Sequence, residues 1–264
     1  MALPSIAVWS PKGGVGKTLI ATGLATHLVR RCGAPTLLID LDPGNAGAAP
    51  LLQVSLLPSV LGFAAGGQTV AHPTGLRILP GPSRLVDESL VTGQLAEAVL
   101  ARARSEGFMT VLDLDADLRD STVVALEQAD AVLLVTTPDL LSIYACRRFM
   151  QEAQQAGFAP GKFRLVINRA TARQEIPDAE ILDLVHLPLA GKVPSLPGLA
   201  AAINRGMATA TFRSNTEFAA AVHLIADSLE FAGVPAPPVA TITRPLEQQP
   251  VGLIPALKRW WHSL

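Results

Sequence analysis

The sequence predicts an α/β fold with a doubly wound, mostly parallel sheet flanked by helices, and two observations lead to this prediction. First, short apolar runs alternate with longer helical patterns along most of the 264 residues. Second, the chain is 49% hydrophobic and 16% charged, yet it has no continuous run of about 18 apolar residues that could span a membrane. The apolar residues must therefore be buried, and strands covered by helices on both faces are rich in such residues.

Seven apolar runs are interpreted as strands, with helical patterns between most of them. The strands are predicted at Ile6–Trp9, Thr36–Ile39, Leu76–Leu79, Thr110–Leu112, Ala131–Thr136, Arg164–Ile167 and Leu189–Val193. Helices are predicted from the first strand to about Arg30, at Gln94–Arg104 and, as a closing helix, at Phe212–Phe231. Ligands of such sheets bind beyond the carboxyl ends of the strands, so polar motifs at those ends are candidate site residues.

The composition divides the chain into three predicted parts. Residues 1–233 are predicted to form the folded domain. Five prolines lie within the sixteen residues 235–250, which is too dense for a helix or a central strand. Residues 234–250 are therefore predicted to be an extended linker, and residues 251–264 an amphipathic helix.

The charge and cysteine content exclude several classes of protein. The 21 Lys and Arg residues balance 22 Asp and Glu residues, giving a net charge of −1, so nucleic acid is not an expected partner. Cys32 and Cys146 are isolated, which excludes a disulfide framework and a zinc pattern and fits a reducing compartment. The first nine residues lack the pattern of a secretion signal. These observations predict a cytoplasmic protein.

A phosphate-binding loop is predicted between the first strand and the first helix, where residues 12–18 read Lys-Gly-Gly-Val-Gly-Lys-Thr. The glycines let the backbone curl so that its N–H groups converge on phosphate oxygens, and the helix N-terminus adds partial positive charge. Lys17 would neutralise the β- and γ-phosphates, and the Thr18 hydroxyl would ligate Mg²⁺. The expected nucleotide-binding residues are Gly13, Gly14, Val15, Gly16, Lys17 and Thr18. A glycine-rich turn without a ligand is the alternative.

The loop departs from the usual pattern, because Pro11 takes the first glycine position and Lys12 precedes the glycines. This string is the deviant Walker A motif, and the sequence resembles the MinD/ParA superfamily of P-loop ATPases over about residues 4–232. The resemblance implies that the domain binds ATP or ADP with Mg²⁺, hydrolyses ATP and forms an ATP-dependent homodimer. It also implies that Lys12 reaches the partner's nucleotide in that dimer. A merely solvated lysine is the alternative.

Two carboxylates follow the second predicted strand, in Asp40-Leu41-Asp42-Pro43. The resemblance implies that Asp42 positions or activates the attacking water and that Asp40 helps to hold the Mg²⁺ shell. Phosphoryl transfer depends on such placement of metal and nucleophile. Capping of the next segment by this pair is the alternative. Asn45 is a further, weaker candidate for a phosphate or ribose contact.

The fourth predicted strand ends at Asp113, which the resemblance makes a magnesium ligand. The family usually continues with Pro and Gly, whereas this chain continues Leu114-Asp115-Ala116-Asp117. Asp115 and Asp117 place negative charge near a phosphate site, which opposes nucleotide binding unless a metal or an arginine screens it. We interpret these two residues as a solvated turn and a helix N-cap. The altered segment leaves slow hydrolysis, or a nucleotide-binding scaffold with little turnover, as open hypotheses.

The last two predicted strands end in residues that the resemblance implies hold the adenine base. Asn168 and Arg169 close one strand and Pro194 closes the other. An Asn amide can donate to and accept from a base edge, and an Arg guanidinium can stack on the ring. Each of these residues could instead merely end its strand.

Residues 76–82, 131–142 and 193–206 resemble the CpaE/TadZ branch of pilus-assembly localisation ATPases. That branch commonly carries an N-terminal receiver-like domain, which we expect this chain to lack because the ATPase strand is predicted at its start. This resemblance implies that the chain positions a cellular machine, such as a pilus, a flagellum or a division site, together with an unidentified activating or cargo protein. A ParA-like DNA-surface partitioning ATPase is the competing hypothesis.

The C-terminal residues 251–264 read VGLIPALKRWWHSL. Their apolar residues recur on one face of a helix, at Leu253, Leu257, Trp260, Trp261 and Leu264. A basic flank and paired Trp residues beside an apolar face are typical of an interfacial membrane helix, and the layout is similar to that of MinD-type proteins. We therefore predict reversible, peripheral association with the inner face of the cell membrane. Docking in a partner's groove and packing on the chain's own domain or dimer are alternatives.

Overall fold

The structure is a computed structural model that describes residues 3–206, 208, 212 and 217–229. The predicted linker 234–250 and the predicted amphipathic helix 251–264 lie outside the described residues. No helix in these ranges is both long enough and apolar enough to cross a membrane.

Eight strands form one sheet. They are β1 (Ser5–Trp9), β2 (Thr36–Leu41), β3 (Val70–Ala71), β4 (Arg77–Leu79), β5 (Met109–Leu114), β6 (Ala131–Thr136), β7 (Phe163–Ala170) and β8 (Leu189–Pro194). Their order is β3-β4-β2-β5-β1-β6-β7-β8, and every pairing is parallel except that of β3 with β4. The predicted doubly wound, mostly parallel sheet is therefore confirmed.

The helices flank this sheet. They are α1 (Lys17–Cys32), α2 (Ala48–Leu52), α3 (Val60–Ala64), α4 (Gly93–Ser105), α5 (Asp120–Gln128), α6 (Leu140–Gln155), α7 (Asp178–Val185), α8 (Pro197–Asn204) and α9 (Glu217–Ser228). Two short 3-10 helices span Leu85–Leu90 and Pro160–Lys162. The described helix α9 lies within the closing helix predicted at residues 212–231.

Two apolar layers lie on opposite faces of the sheet because alternate strand residues point to opposite sides. On β1, Ile6 and Val8 join the layer that includes α1 and α9, whereas Ala7 and Trp9 join the layer that includes α4, α5 and α6. All residues of β1, β2, β5 and β6 are buried. These strands are therefore covered on both faces, which explains the high apolar content of the chain.

The strand order determines which residues meet at the carboxyl edge. Strand β1 lies between β5 and β6, so the loop that follows β1 starts near the middle of the sheet. Strands β2 and β5 are neighbours in a register that places Asp40 directly beside Asp113. The predicted motifs are thus gathered at one edge of the sheet.

Candidate nucleotide site

The glycine-rich loop ends at Gly16, which has a left-handed backbone conformation and is the N-cap of α1. Gly16 has φ 97° and Gly14 has φ 75°, a backbone conformation that glycine adopts without the steric cost of a Cβ. A Cβ on Gly16 would also overlap the side-chain amide of Asn168. The loop therefore needs glycine for its backbone conformation and for its close approach to β7.

Lys17 and Thr18 occupy the first turn of α1, next to Asp113. Lys17 is buried, with 7% of its surface exposed, and Asp113 is fully buried. Among the described residues, neither oxygen of the Asp113 carboxylate has a hydrogen-bond partner. Burial, reinforced by the charge of Asp40, raises the pKa of Asp113 well above its usual value, and the nearby Thr18 hydroxyl and Lys17 ammonium partly oppose this. The Thr18 hydroxyl lies close to this carboxylate without reaching normal hydrogen-bond geometry.

Asp40 is fully buried, but both of its carboxylate oxygens have partners. One oxygen accepts a hydrogen bond from the backbone N–H of Asp42 at 3.1 Å, and the other accepts one from Ala48 at 3.0 Å. Burial raises the pKa of Asp40 to about 7, although both hydrogen bonds act in the opposite direction. Asp40 thus ties the loop after β2 to the first residue of α2, which is the capping role that the sequence left open.

Asp42 lines an open cavity of about 370 Å³ together with Gly14, Gly16, Lys17 and Thr18. Its carboxylate accepts hydrogen bonds from the Asn45 backbone N–H at 3.1 Å and from the Asn45 side-chain amide at 3.4 Å. Asn45 lines the same cavity. Leu51 of α2 and Ile203 of α8 form apolar parts of the wall. No sequence pattern indicates these two residues, because apolar side chains on helices belong to no binding motif.

Lys12 makes an ion pair with Asp139, a residue that no sequence motif indicates. Its Nζ lies 2.7 Å from Oδ1 of Asp139, which also accepts the Ser142 backbone N–H at 3.0 Å and so caps α6. The Thr137 hydroxyl donates to the other Asp139 oxygen at 2.5 Å. Partial burial opposes ionisation of Asp139, but the hydrogen bonds from Lys12 and Thr137 outweigh it and lower the pKa of this carboxyl. Lys12 is therefore held at the start of α6.

Asn168 and Arg169 lie at the end of β7 and contact the glycine-rich loop. The Asn168 amide donates to the Val15 carbonyl at 2.6 Å, and an Arg169 guanidinium N–H donates to the Gly14 carbonyl at 2.7 Å. Arg169 has φ 58° and sits at an irregularity in the pairing of β7 with β8. Pro194 of β8 lies beside Ala170 of β7. The structure thus brings all three predicted base-binding residues to the carboxyl edge of the sheet, where the glycine-rich loop lies.

The segment after Asp113 corrects one sequence interpretation. Neither Asp115 nor Asp117 is the N-cap of α5, because Arg119 occupies that position. Instead, the Arg119 guanidinium lies 3.0 Å from Asp115 and 3.9 Å from Asp117. The N-cap interpretation is therefore wrong. Asp117 is solvated as expected, with 76% of its side chain exposed, but Asp115 is not, because only 15% of its side chain is exposed. An arginine partly screens the added negative charge.

The donor set agrees with the chemistry of a magnesium nucleotide. Magnesium prefers hard oxygen ligands and is usually bound through one or two carboxylates together with phosphates and water. Asp113 offers two buried carboxylate oxygens without partners, beside the Thr18 hydroxyl. A buried lysine and a helix N-terminus supply positive charge for phosphate at the same place. The residues at this site therefore fit the magnesium nucleotide that the loop motif implies.

The structure has the features that define a P-loop nucleotide-binding domain. These are a mostly parallel sheet, a glycine-rich loop between its central strand and a helix, a buried lysine, and a carboxylate at the end of a strand. The family model described as the CobQ/CobB/MinD/ParA nucleotide binding domain matches residues 6–210. The chain belongs to this family.

The relatives of this chain include characterised and uncharacterised proteins. The septum site-determining protein MinD of Neisseria meningitidis is 29% identical over 225 residues, which cover 76% of this chain and 82% of that protein. An uncharacterised protein of Mycobacterium tuberculosis H37Rv is also 29% identical, over 76% of this chain. The match spans only 57% of that mycobacterial protein.

A solved structure shows the same fold. The MinD protein of Pyrococcus horikoshii in complex with Mg-ADP has a TM-score of 0.74 and 20% sequence identity. The match covers 86% of this chain and 96% of that chain. Together with the family model, this likeness confirms the P-loop fold of the MinD/ParA type.

Proposed function

We propose that this chain is a nucleotide-operated switch that binds Mg-ATP, hydrolyses it slowly, dimerises around it and positions a cellular machine at the membrane surface. The observation that carries the proposal is the buried Asp113 carboxylate without partners, which lies beside Thr18 and Lys17 at the glycine-rich loop. A buried, unpartnered carboxylate is costly, and a bound cation would compensate this cost.

Each site residue has a role in this proposal. Backbone N–H groups of the loop and the Lys17 ammonium would bind the phosphates. The Thr18 hydroxyl and Asp113 would hold Mg²⁺, and Asp40, which lies beside Asp113, would help to hold the Mg²⁺ shell. Mg²⁺, when bound, would supply positive charge that offsets the charge of the phosphates during their transfer. Asp42 lines the cavity and orients the attacking water. Asn168, Arg169 and Pro194 would surround the adenine. Asn168 and Arg169 would then give up their hydrogen bonds to the loop carbonyls and bind the base instead.

Slow hydrolysis is part of the proposal because the segment after Asp113 lacks the Pro and Gly of the family pattern. Arg119 holds Asp115 and Asp117 in a local ion-pair cluster. A loop restrained in this way has fewer conformations open to it than a glycine-containing one. We therefore expect the segment to respond weakly to the γ-phosphate.

Calorimetric titration with Mg-ADP and Mg-ATP tests nucleotide binding. The variant Lys17→Ala should lose binding, because it removes the buried ammonium at the phosphate position. The matched control is Lys192→Ala, which removes a lysine of β8 that forms an ion pair with Asp178 of α7. Unchanged nucleotide affinity in Lys17→Ala would contradict the proposed phosphate site.

Phosphate release in single-turnover experiments tests the catalytic part. The wild-type chain should release phosphate slowly, and Asp42→Ala should bind Mg-ATP but release phosphate at least about tenfold more slowly. Equal rates would refute the role of Asp42. Tight binding without any phosphate release by the wild-type chain would instead identify a nucleotide-binding scaffold.

The pilus-assembly branch and the membrane tail complete the proposal. They rest on sequence patterns, including the apolar face of residues 251–264. Two tails on one dimer would bind a surface more strongly than one, by a factor on the order of 10² from effective concentration. Dimerisation on ATP would in this way control attachment to the membrane.

A further inference from the structure

A second open cavity, of about 550 Å³, lies at the edge of the sheet opposite the nucleotide site. Its lining comes from the start of β4, the residues just before β2 and β5, and the C-terminal ends of α1 and α4. It shares no lining residue with the 370 Å³ cavity at the glycine-rich loop and is larger than it. Its volume falls in the range of small-molecule sites.

Arg77 provides the cavity with a fixed positive charge. Its Nε donates to the Thr69 hydroxyl at 2.6 Å, and one terminal nitrogen donates to the Thr69 carbonyl at 2.9 Å. Both partners are neutral, and within residues 3–206, 208, 212 and 217–229 no carboxylate lies at ion-pair distance from Arg77. A partly buried guanidinium without a counter-charge favours an anion, which it can bind through charge-assisted hydrogen bonds.

Arg102 provides a second guanidinium, whose charge is already offset. It lies 4.0 Å from the centre of the Phe63 ring and donates to Glu106 at 2.7 Å. It also donates to the Phe63 carbonyl. These contacts hold the flat guanidinium in place over a buried ring. Guanidinium faces stack well on flat ring systems. Arg102 is therefore better suited to stack on the ring of a ligand than to pair with the ligand's anionic group.

The remaining lining is mainly apolar, with Phe108 as a second aromatic wall. Two arginines and one glutamate leave the cavity with a formal charge of +1. We propose that this cavity binds a small planar aromatic anion, with the anionic group on Arg77 and the ring between Phe108 and the Arg102 guanidinium. The site is independent of the proposed nucleotide chemistry.

Calorimetric titration of the full chain with 2-naphthoate tests this site, with uncharged 2-naphthamide as the paired probe. The variant Arg77→Gln should weaken naphthoate binding by about tenfold or more, as expected for losing a hydrogen bond to a charged group. Naphthamide should bind more weakly than naphthoate and be insensitive to this change. The control Arg104→Gln removes an exposed arginine of α4 that does not line the cavity.

Arg77→Gln also removes the contacts with Thr69, so a second variant is needed. Ala34 lines the cavity, and Ala34→Phe would fill it while leaving Arg77 in place. This variant should abolish naphthoate binding and keep the binding of Mg-ADP. No binding of naphthoate to the wild-type chain at millimolar concentration, or equal binding to the filled variant, would overturn the proposal. Competition by Mg-ADP would also overturn it, because it would place the probe in the nucleotide cavity.

Discussion

Lys12 is held by the chain's own Asp139 across 127 residues of sequence. Both side chains of this pair are partly exposed, at 35% and 46%. Ion pairs of this kind contribute only about 0–1 kcal/mol. Lys12 can therefore exchange this contact for a phosphate at small cost.

Lys12→Ala should abolish the ATP-dependent dimer, because it removes the group that the proposal places against the partner's nucleotide. Light scattering with Mg-ATP and Mg-ADP measures this, with Lys192→Ala as the control. Dimers that form equally well without Lys12 would rule out the role across the dimer.

Asp139→Asn should instead lower the ATP concentration needed for dimerisation. Asn is as good an N-cap as Asp, so α6 keeps its cap while Lys12 loses its charged partner. The same light-scattering titration measures the shift. A higher ATP requirement would show that Asp139 does more than restrain Lys12.

Single residues differ in how far the sequence could predict them. Lys17, Thr18 and Asp113 were predictable because they belong to a motif or end a parallel strand, and such ends meet at one edge. Asp139 was not, because its contact with Lys12 depends on β1 and β6 being neighbours. The contact of Arg169 with the loop depends on its left-handed backbone conformation, which no local pattern indicates.

At the scale of the elements, helices α1 and α9 pack closely against each other at Gly23 of α1. A Cβ on Gly23 would lie 2.7 Å from the ring of Phe218 and 3.3 Å from Val222. Phe218 is fully buried, so its ring has little room to move. Gly23 therefore sets the distance between the two helices.

Gly23→Ala should destabilise the fold by about 1–2 kcal/mol, since overpacking costs about 1–3 kcal/mol and the gain in helix propensity is at most about 1 kcal/mol. Thermal unfolding measures this, at about 2–4 °C per kcal/mol for a chain of this size. Gly198→Ala is the control, because a Cβ there meets nothing within 4 Å. A higher melting temperature for Gly23→Ala would contradict this account of the packing.

The same helix pair contains a histidine that is kept neutral. Burial, then the charges of His223 and Arg31, lower the pKa of His27 to about 4, while Asp227 opposes this and Arg30 adds to it. The rings of His27 and His223 lie edge to face, with 5.1 Å between centroids. Because the pKa in the folded state is below the unfolded value near 6.5, the folded chain binds fewer protons.

Stability should therefore fall as the pH decreases from about 6.5 to about 4, because protonation of His27 favours the unfolded chain. Melting temperatures of the wild type and His27→Gln across this range measure the effect. The variant should show a shallower dependence on pH, since other titrating groups are common to both proteins. Parallel curves would exclude His27 as the cause.

The main elements could be predicted, but some of their limits could not. The predicted helix at residues 94–104 is within one residue of α4 at each end. Strand β3 has two residues, and neither is fully buried, so it lacks the apolar run by which the other strands were found. Strand β7 continues three residues beyond the predicted Ile167, because pairing with β8 extends it through Asn168, Arg169 and Ala170, which have no strand pattern.

At the scale of the whole molecule, the central prediction concerns the C-terminal segment. The full chain should sediment with anionic liposomes in Mg-ATP more than in Mg-ADP, and a chain ending at Pro250 should not sediment, because it lacks the apolar face. Sedimentation of the shortened chain to the same extent would rule out the tail as the membrane anchor, and no sedimentation of the full chain with either nucleotide would remove the membrane role. Salt-dependent binding of duplex DNA would instead favour the partitioning hypothesis.

The central position of β1 has a consequence for how the protein is made. Ser5 pairs with Thr110, so β1 gains its first neighbour in the sheet only after about 100 more residues have been added. At about 5–20 residues per second, that interval is roughly 5–20 seconds of synthesis. During this time the apolar run Ile6–Trp9 has neither of its two neighbouring strands, β5 and β6, to pair with. A nascent chain that stops before β5 can therefore not assemble the nucleotide site, although it already contains the whole glycine-rich loop.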